Sequence, residues 1–171
     1  MSIRPATVAG ALLAASATLT IVPTAISAAA AAPASTTSVE KGVVIECSGR
    51  VGGQPVYVSL YENSRYVNVV QVNVGDDGAS RQVRDIVRAG RVRAAVRIGD
   101  TTARVTGAVR VTGRPTRVHE VQDDAGQHIV SDGTHRALST RLRLSFGGDV
   151  ARLTCDNAFR YRLRVTKTDV V

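Results

Sequence analysis

From residue 42 onward, apolar and polar residues alternate with a period of two, and turn formers interrupt the alternation at short intervals. The interruptions are GRVGGQP (49–55), ENSR (62–65), GDDG (75–78), AG (89–90), GD (99–100), GRP (113–115), DDAG (123–126), SDGT (131–134) and GGD (147–149). A period of two places alternate side chains on opposite faces of a strand, and the spacing leaves room for about eight to ten short strands. No stretch beyond residue 42 has the 3.6-residue period of a helix. The expected fold is all-β: a single antiparallel β-barrel or β-sandwich, built as a meander of hairpins.

Register is testable from sequence, because a hairpin must place its apolar residues on one face of both strands. With Gly99-Asp100 as a two-residue turn, Ile98 pairs with Thr101, Val96 with Ala103, Ala94 with Val105 and Val92 with Gly107. The arginines then share the other face and none stands opposite another. With Gly148-Asp149 as a turn, Leu144 meets Leu153, Leu142 meets Cys155 and Phe146 meets Ala151, while Arg143 and Arg152 lie across from Thr154 and Ser145. With Asn63-Ser64 as a turn, Leu60 pairs with Val67, Tyr61 with Tyr66 and Tyr57 with Val70. Val70, Val72 and Val74 then extend the tyrosine face, a phase change that a β-bulge at Val69–Val70 would also produce. In the last strand Phe159, Tyr161, Leu163 and Val165 alternate with Arg160, Arg162 and Arg164.

The segment before this pattern reads as an address. Arg4, an uncharged run from Val8 to Val22, Pro23 and the small residues of ISAAAAA have the order of a helical secretory signal peptide over residues 1–32, cleaved within Ala28–Ala32. The apolar run is shorter than the roughly 20 residues of a membrane span, so the mature chain is expected to have no transmembrane segment. Residues 33–41 read as a flexible linker, and 42–171 as the β domain. The two cysteines, Cys47 and Cys155, lie in no C-x-x-C pair and beside no histidine. In the oxidising secreted, extracellular or cell-wall space, such a pair is expected to form one structural disulfide closing the domain.

Chemistry is harder to place. Without Arg4 the chain holds 21 basic and 14 acidic residues, a net +7, and 20 of the full chain's 22 basic residues are arginine. Arg91, Arg93, Arg97, Arg104 and Arg110 share one hairpin face, which reads first as a solvated strand face. It is also a distributed field that attracts acidic polymers in a salt-sensitive way. It has neither a nucleic-acid recognition motif nor interleaved aromatics, so sequence-specific nucleic-acid binding is not expected. Tyr57, Tyr61 and Tyr66 gather on one side of their hairpin, as a binding patch or as ordinary cross-strand packing. With DDAG as a loop, His119 and His128 become diagonal neighbours. They are weak metal ligands without a third at a diagnostic spacing, and no metal or cofactor is expected. SDGTH contains Ser131, Asp132 and His135, but a triad is defined by geometry and no catalytic motif accompanies them.

IECSG followed by PVYVSLYEN resembles, over residues 45–63, the opening of small secreted β-barrel inhibitors of lysozyme; no inhibitory motif of that family matches. The reading is a secreted, basic, non-enzymatic domain that binds an extracellular protein or an anionic cell-wall polymer, with an inhibitor included in that class. The alternatives are a secreted hydrolase using His119, His128 or His135 with Asp132, and a structural envelope protein.

Overall fold

A computed structural model describes residues 34–170. The expected signal peptide lies outside the described residues. The chain forms β1 (Ser35–Val51), β2 (Gln54–Asn63), β3 (Asn68–Val74), β4 (Asp77–Val83), β5 (Val87–Arg88), β6 (Arg91–Ile98), β7 (Thr101–Val111), β8 (Thr116–Asp124), β9 (Gln127–Phe146), β10 (Asp149–Arg152) and β11 (Thr154–Asp169). The described fold is all-β, and every ladder is antiparallel. The strands form one sheet in the order β4-β3-β2-β1-β11-β9-β7-β6-β5, with β8 and β10 also paired to β9.

The sheet is neither a closed barrel nor a two-layer sandwich. It curls until β3 and β4 pack against β6, an open half-barrel in which no ladder joins the two ends. Nor are its strands uniformly short: β1, β9 and β11 run 17, 20 and 16 residues. Pairing of the first strand with the last does not close the barrel, because β1 and β11 lie in the middle of the sheet. The linker expectation fails for the same reason. Residues 35–41 are strand, held from Ser35↔Thr168 to Lys41↔Arg162 by the far half of β11.

The β6–β7 hairpin has the register read from sequence, from Arg91↔Ala108 to Ile98↔Thr101. The β9–β10 turn is instead Gly147-Gly148, both at positive φ, so Ala151 meets Leu144 and Arg152 meets Arg143. A two-residue slip preserves the faces, and Ala151 stays buried. β8–β9 is also shifted by two, around Ala125-Gly126, giving His119↔Asp132 and Val121↔Val130. The β2–β3 loop is longer than a two-residue turn. Leu60 pairs with Val70 and Tyr61 with Val69, an odd shift that turns β3 over. Val70, Val72 and Val74 thereby join Val56, Val58 and Leu60 in the core, and no bulge is needed.

The core lies inside the curl, with Ile45, Leu60, Leu142 and Leu144 among its fully buried side chains. The disulfide joins Cys47 to Cys155, 108 positions apart, as the spacing predicts. It sits at a β-bulge: Glu46 faces Asn157 while Ser48 faces Thr154, so Cys155 and Asp156 together oppose Cys47. The extra residue reverses the phase of β11. Beyond it Ala158 continues the inner face, and Phe159, Tyr161, Leu163 and Val165 point out of the curl rather than into the core.

A bond closing so long a loop is worth about 4–5 kcal/mol in the chain-entropy account. Alkylation followed by intact-mass measurement should show no free thiol before reduction and two after it. Reduction should lower the melting temperature; two alkylated cysteines in the unreduced protein would refute the bond.

Candidate functional site

Strand β7 carries small residues at Thr106, Gly107 and Ala108, flanked by arginine-bearing β6 and β9. On the outer face two rows run across the sheet: Arg91–Ala108–Arg141 and Arg93–Thr106–Arg143. The guanidinium-bearing strands stand about 10 Å apart, two strand spacings. The small residues between them leave a trough of about 690 Å³. Gly107 is fixed by geometry: a Cβ there would overlap the Arg141 carbonyl, so the backbones of β7 and β9 approach only because it has none. Arg152 on β10, directly opposite Arg143, extends the second row.

Arg91, Arg93, Arg97, Arg104 and Arg110 are all exposed, as are Arg141, Arg143 and Arg152. Arg97 turns toward its own hairpin and pairs with Asp100 at 3.2 Å. Among the described residues it is the one arginine in an ion pair with a carboxylate. The trough therefore presents guanidinium forks without protein counter-charges, a geometry suited to carboxylate, phosphate or sulfate groups. Outward placement of Arg143 and Arg152 is legible in the sequence. Their position beside Arg91 and Arg93 is not, because the β7–β9 pairing is long-range.

The tyrosines divide. Tyr57 and Tyr61 share the outer face of β2, Tyr66 lies in the loop after it, and the expected Tyr61–Tyr66 pair is replaced by Tyr61↔Val69. Tyr61 and Tyr66 instead line a groove of about 390 Å³ with Phe159, Tyr161, Leu163 and His135. Phase reversal of β11 creates this second apolar cluster on the far side of the sheet. Tyr161 crosses over Gly42, where any Cβ would overlap its ring and the Glu62 carbonyl. Beneath it lies a buried polar chain in which Asn63 Nδ2 donates to Glu40 Oε2 and to the Tyr61 hydroxyl, each at 2.8 Å. Asn63 Oδ1 accepts from the Arg65 amide at 2.8 Å, fixing the loop that carries Tyr66. Burial pushes the Tyr161 hydroxyl far above the ordinary 10.0, and the neighbouring Tyr61 hydroxyl adds to the rise. Tyr57 is raised too, by desolvation and then by its 3.2 Å hydrogen bond to Glu46.

The histidines do not converge. His119 pairs with Asp132 at 2.6 Å and His128 with Asp123 at 2.8 Å, on exposed strand positions about 13 Å apart along the ladder. The slip of two residues replaces the expected diagonal contact with a carboxylate opposite each ring. Among the described residues no group of three or more His, Cys, Asp or Glu is placed to hold a metal ion. Within SDGTH, strand alternation sends Asp132 to the inner face and Ser131 and His135 to the outer, so the three do not meet. No protein-family model, curated protein or solved structure matches the chain.

Two outcomes test the polar chain. Asn63→Ala strands the buried Glu40 carboxylate and should cost about 1–3 kcal/mol in denaturant unfolding. Unfolded Tyr161 loses its proton near pH 10.0 while the folded group keeps it, so its stabilisation is complete below that pH and declines above it. Ultraviolet titration should show one of the four tyrosines ionising only as the protein unfolds. Tyr161→Phe should flatten the alkaline fall in stability. Four ordinary titrations in folded protein would contradict this assignment.

Proposed function

We propose that the exported domain is a non-enzymatic binding module for anionic polymers of the extracellular or cell-wall space, and that the arginine face of β6, β7, β9 and β10 is its contact surface. The observation that carries this is the trough: two arginine rows over a floor of small residues, without an ionised partner. Eight arginines on one curved face set up a positive potential that draws in polyanions. Repetition across the rows favours a repeating ligand over a single ion. The disulfide is compatible with an oxidising, extracellular setting. In the hydrolase reading, His119 does meet Asp132 at 2.6 Å on exposed strand positions, while Ser131 and His135 lie on the opposite face of β9.

Heparin serves as the probe. Binding should be measurable at low salt and fall steeply toward physiological salt, where charges are screened over about 8 Å. Arg93→Ala should weaken it less than about fivefold, because exposed charge contacts are individually small. Combined Arg93→Ala, Arg141→Ala and Arg143→Ala should remove it at physiological salt. Undiminished binding by the triple variant would place the surface elsewhere. Complete loss in Arg93→Ala alone would replace the distributed surface with a discrete recognition site.

A further inference from the structure

The inner face of the sheet changes character where β1, β9 and β11 run out of the core. Lys41 on β1 stands directly opposite Arg162 on β11. Arg160, at the next inward position of β11, stands directly opposite Arg136 on β9. Like charges directly across a ladder have Cβ atoms about 4.5–5.5 Å apart and destabilise the pairing. Two such pairs on adjacent rows make a cationic quartet. All four side chains are exposed, and none makes an ion pair among the described residues. Arg136 gives one N–H to the Gly113 carbonyl at 3.1 Å.

Two of the three nearby carboxylates, Asp132 and Glu62, are engaged by other partners. Asp132 pairs with His119 on the same face. Glu62 and Asp85 line the same cavity as Lys41 and Arg160, and the Glu62 carboxylate accepts the Ile86 and Val87 amides at 3.0 Å each. Arg117 and Arg164 add positive charge on the inner face next to the quartet.

Lys41 and Arg160 also border a cavity of about 580 Å³ at the open end of the half-barrel, lined on its apolar side by Val43, Val87, Val109, Val111 and Leu138. Val43 and Val109 belong to the main core, so the apolar lining is a continuation of it. The volume falls within the range of about 300–1,000 Å³ common for small-molecule sites, and barrel mouths are a usual place for them.

We infer that this cavity binds an amphiphilic anion. A carboxylate or phosphate head sits among Lys41, Arg136, Arg160 and Arg162, and an alkyl chain lies against Val43, Val109, Val111 and Leu138. A simple anion would relieve the opposed cations but leave the half-buried Val87, Val111 and Leu138 uncovered. A neutral chain would cover the valines and leave the cations opposed. Only a molecule with both parts satisfies both walls. The site faces the inside of the curl, opposite to the polymer-binding trough, and stands independently of it.

Calorimetry with dodecanoate, dodecyl phosphate, dodecanol and inorganic phosphate, each below micelle formation, separates these cases. Both anionic amphiphiles should bind at least about tenfold tighter than dodecanol, the gain expected of charge-assisted hydrogen bonds, and inorganic phosphate should be weaker still. Shortening the chain should weaken binding about fourfold per methylene while the chain remains inside the cavity. Arg160→Gln with Arg162→Gln, checked for an unchanged melting temperature, should abolish the preference for the anions over dodecanol while leaving heparin affinity of the outer face nearly intact. Inorganic phosphate binding as tightly as dodecyl phosphate, no dependence on chain length in the wild-type protein, or an unchanged anion preference in the double variant would each overturn the inference.

Discussion

The ladder between β1 and β11 organises the domain. It joins the two chain ends of the sheet over residues 35–48 and 154–168, with the Cys47–Cys155 bond fixing it at a bulge. An ordinary meander would leave its first and last strands at the margins, exposed as templates for further pairing. Here the longest-range ladder among the described residues lies at the centre, and the hairpins grow outward from it to β4 on one side and β5 on the other. The covalent bond matters for that reason. It closes the contact that chain entropy most opposes and on which the neighbouring ladders are built.

The bulge has a second consequence. One extra residue in β11 reverses which side chains meet the core, so the sheet has apolar clusters on opposite faces at its two ends. Inside the curl are the valines and leucines of β2, β3, β6, β7 and the far half of β9. Outside, Phe159, Tyr161, Leu163 and Val165 pack with Ile129 and Val44 in the groove over β1, β9 and β11. Charges follow the same inversion. Arginines cover the outer face where the core is inside, and the inner face where the aromatic cluster is outside. Two cationic surfaces of different shape result, one a shallow trough and the other the rim of an apolar cavity.

Between them lies the polar chain of Glu40, Asn63, Tyr61 and Tyr161. Glu40 and Asn63 are 7% and 4% exposed, and the described residues contain no buried side-chain polar atom without a partner. Satisfied buried polar groups specify geometry more than they add stability. In this case they hold the β2–β3 loop, and with it Tyr66, over the aromatic groove. Tyr161 over Gly42 also covers backbone that glycine would otherwise leave bare.

Alternation determined the class of fold, the disulfide partners, the β6–β7 register and the outward direction of its arginines, because each depends on local period or on elimination among two cysteines. Registers at the other hairpins were less determinate. A slip of two residues leaves the same faces buried, so the pattern alone did not choose between Gly147-Gly148 and Gly148-Asp149. An odd slip does change the faces, and the awkward phase of Val70, Val72 and Val74 in the sequence was its trace. Tertiary structure decided what no local pattern encodes: the open curl in place of a barrel or sandwich, the ordering of residues 35–41 by a partner strand more than a hundred positions away, and the neighbours of each arginine. Both cationic sites exist because long-range ladders set β9 beside β7 and β11 beside β1, and only strand pairing fixes such distances.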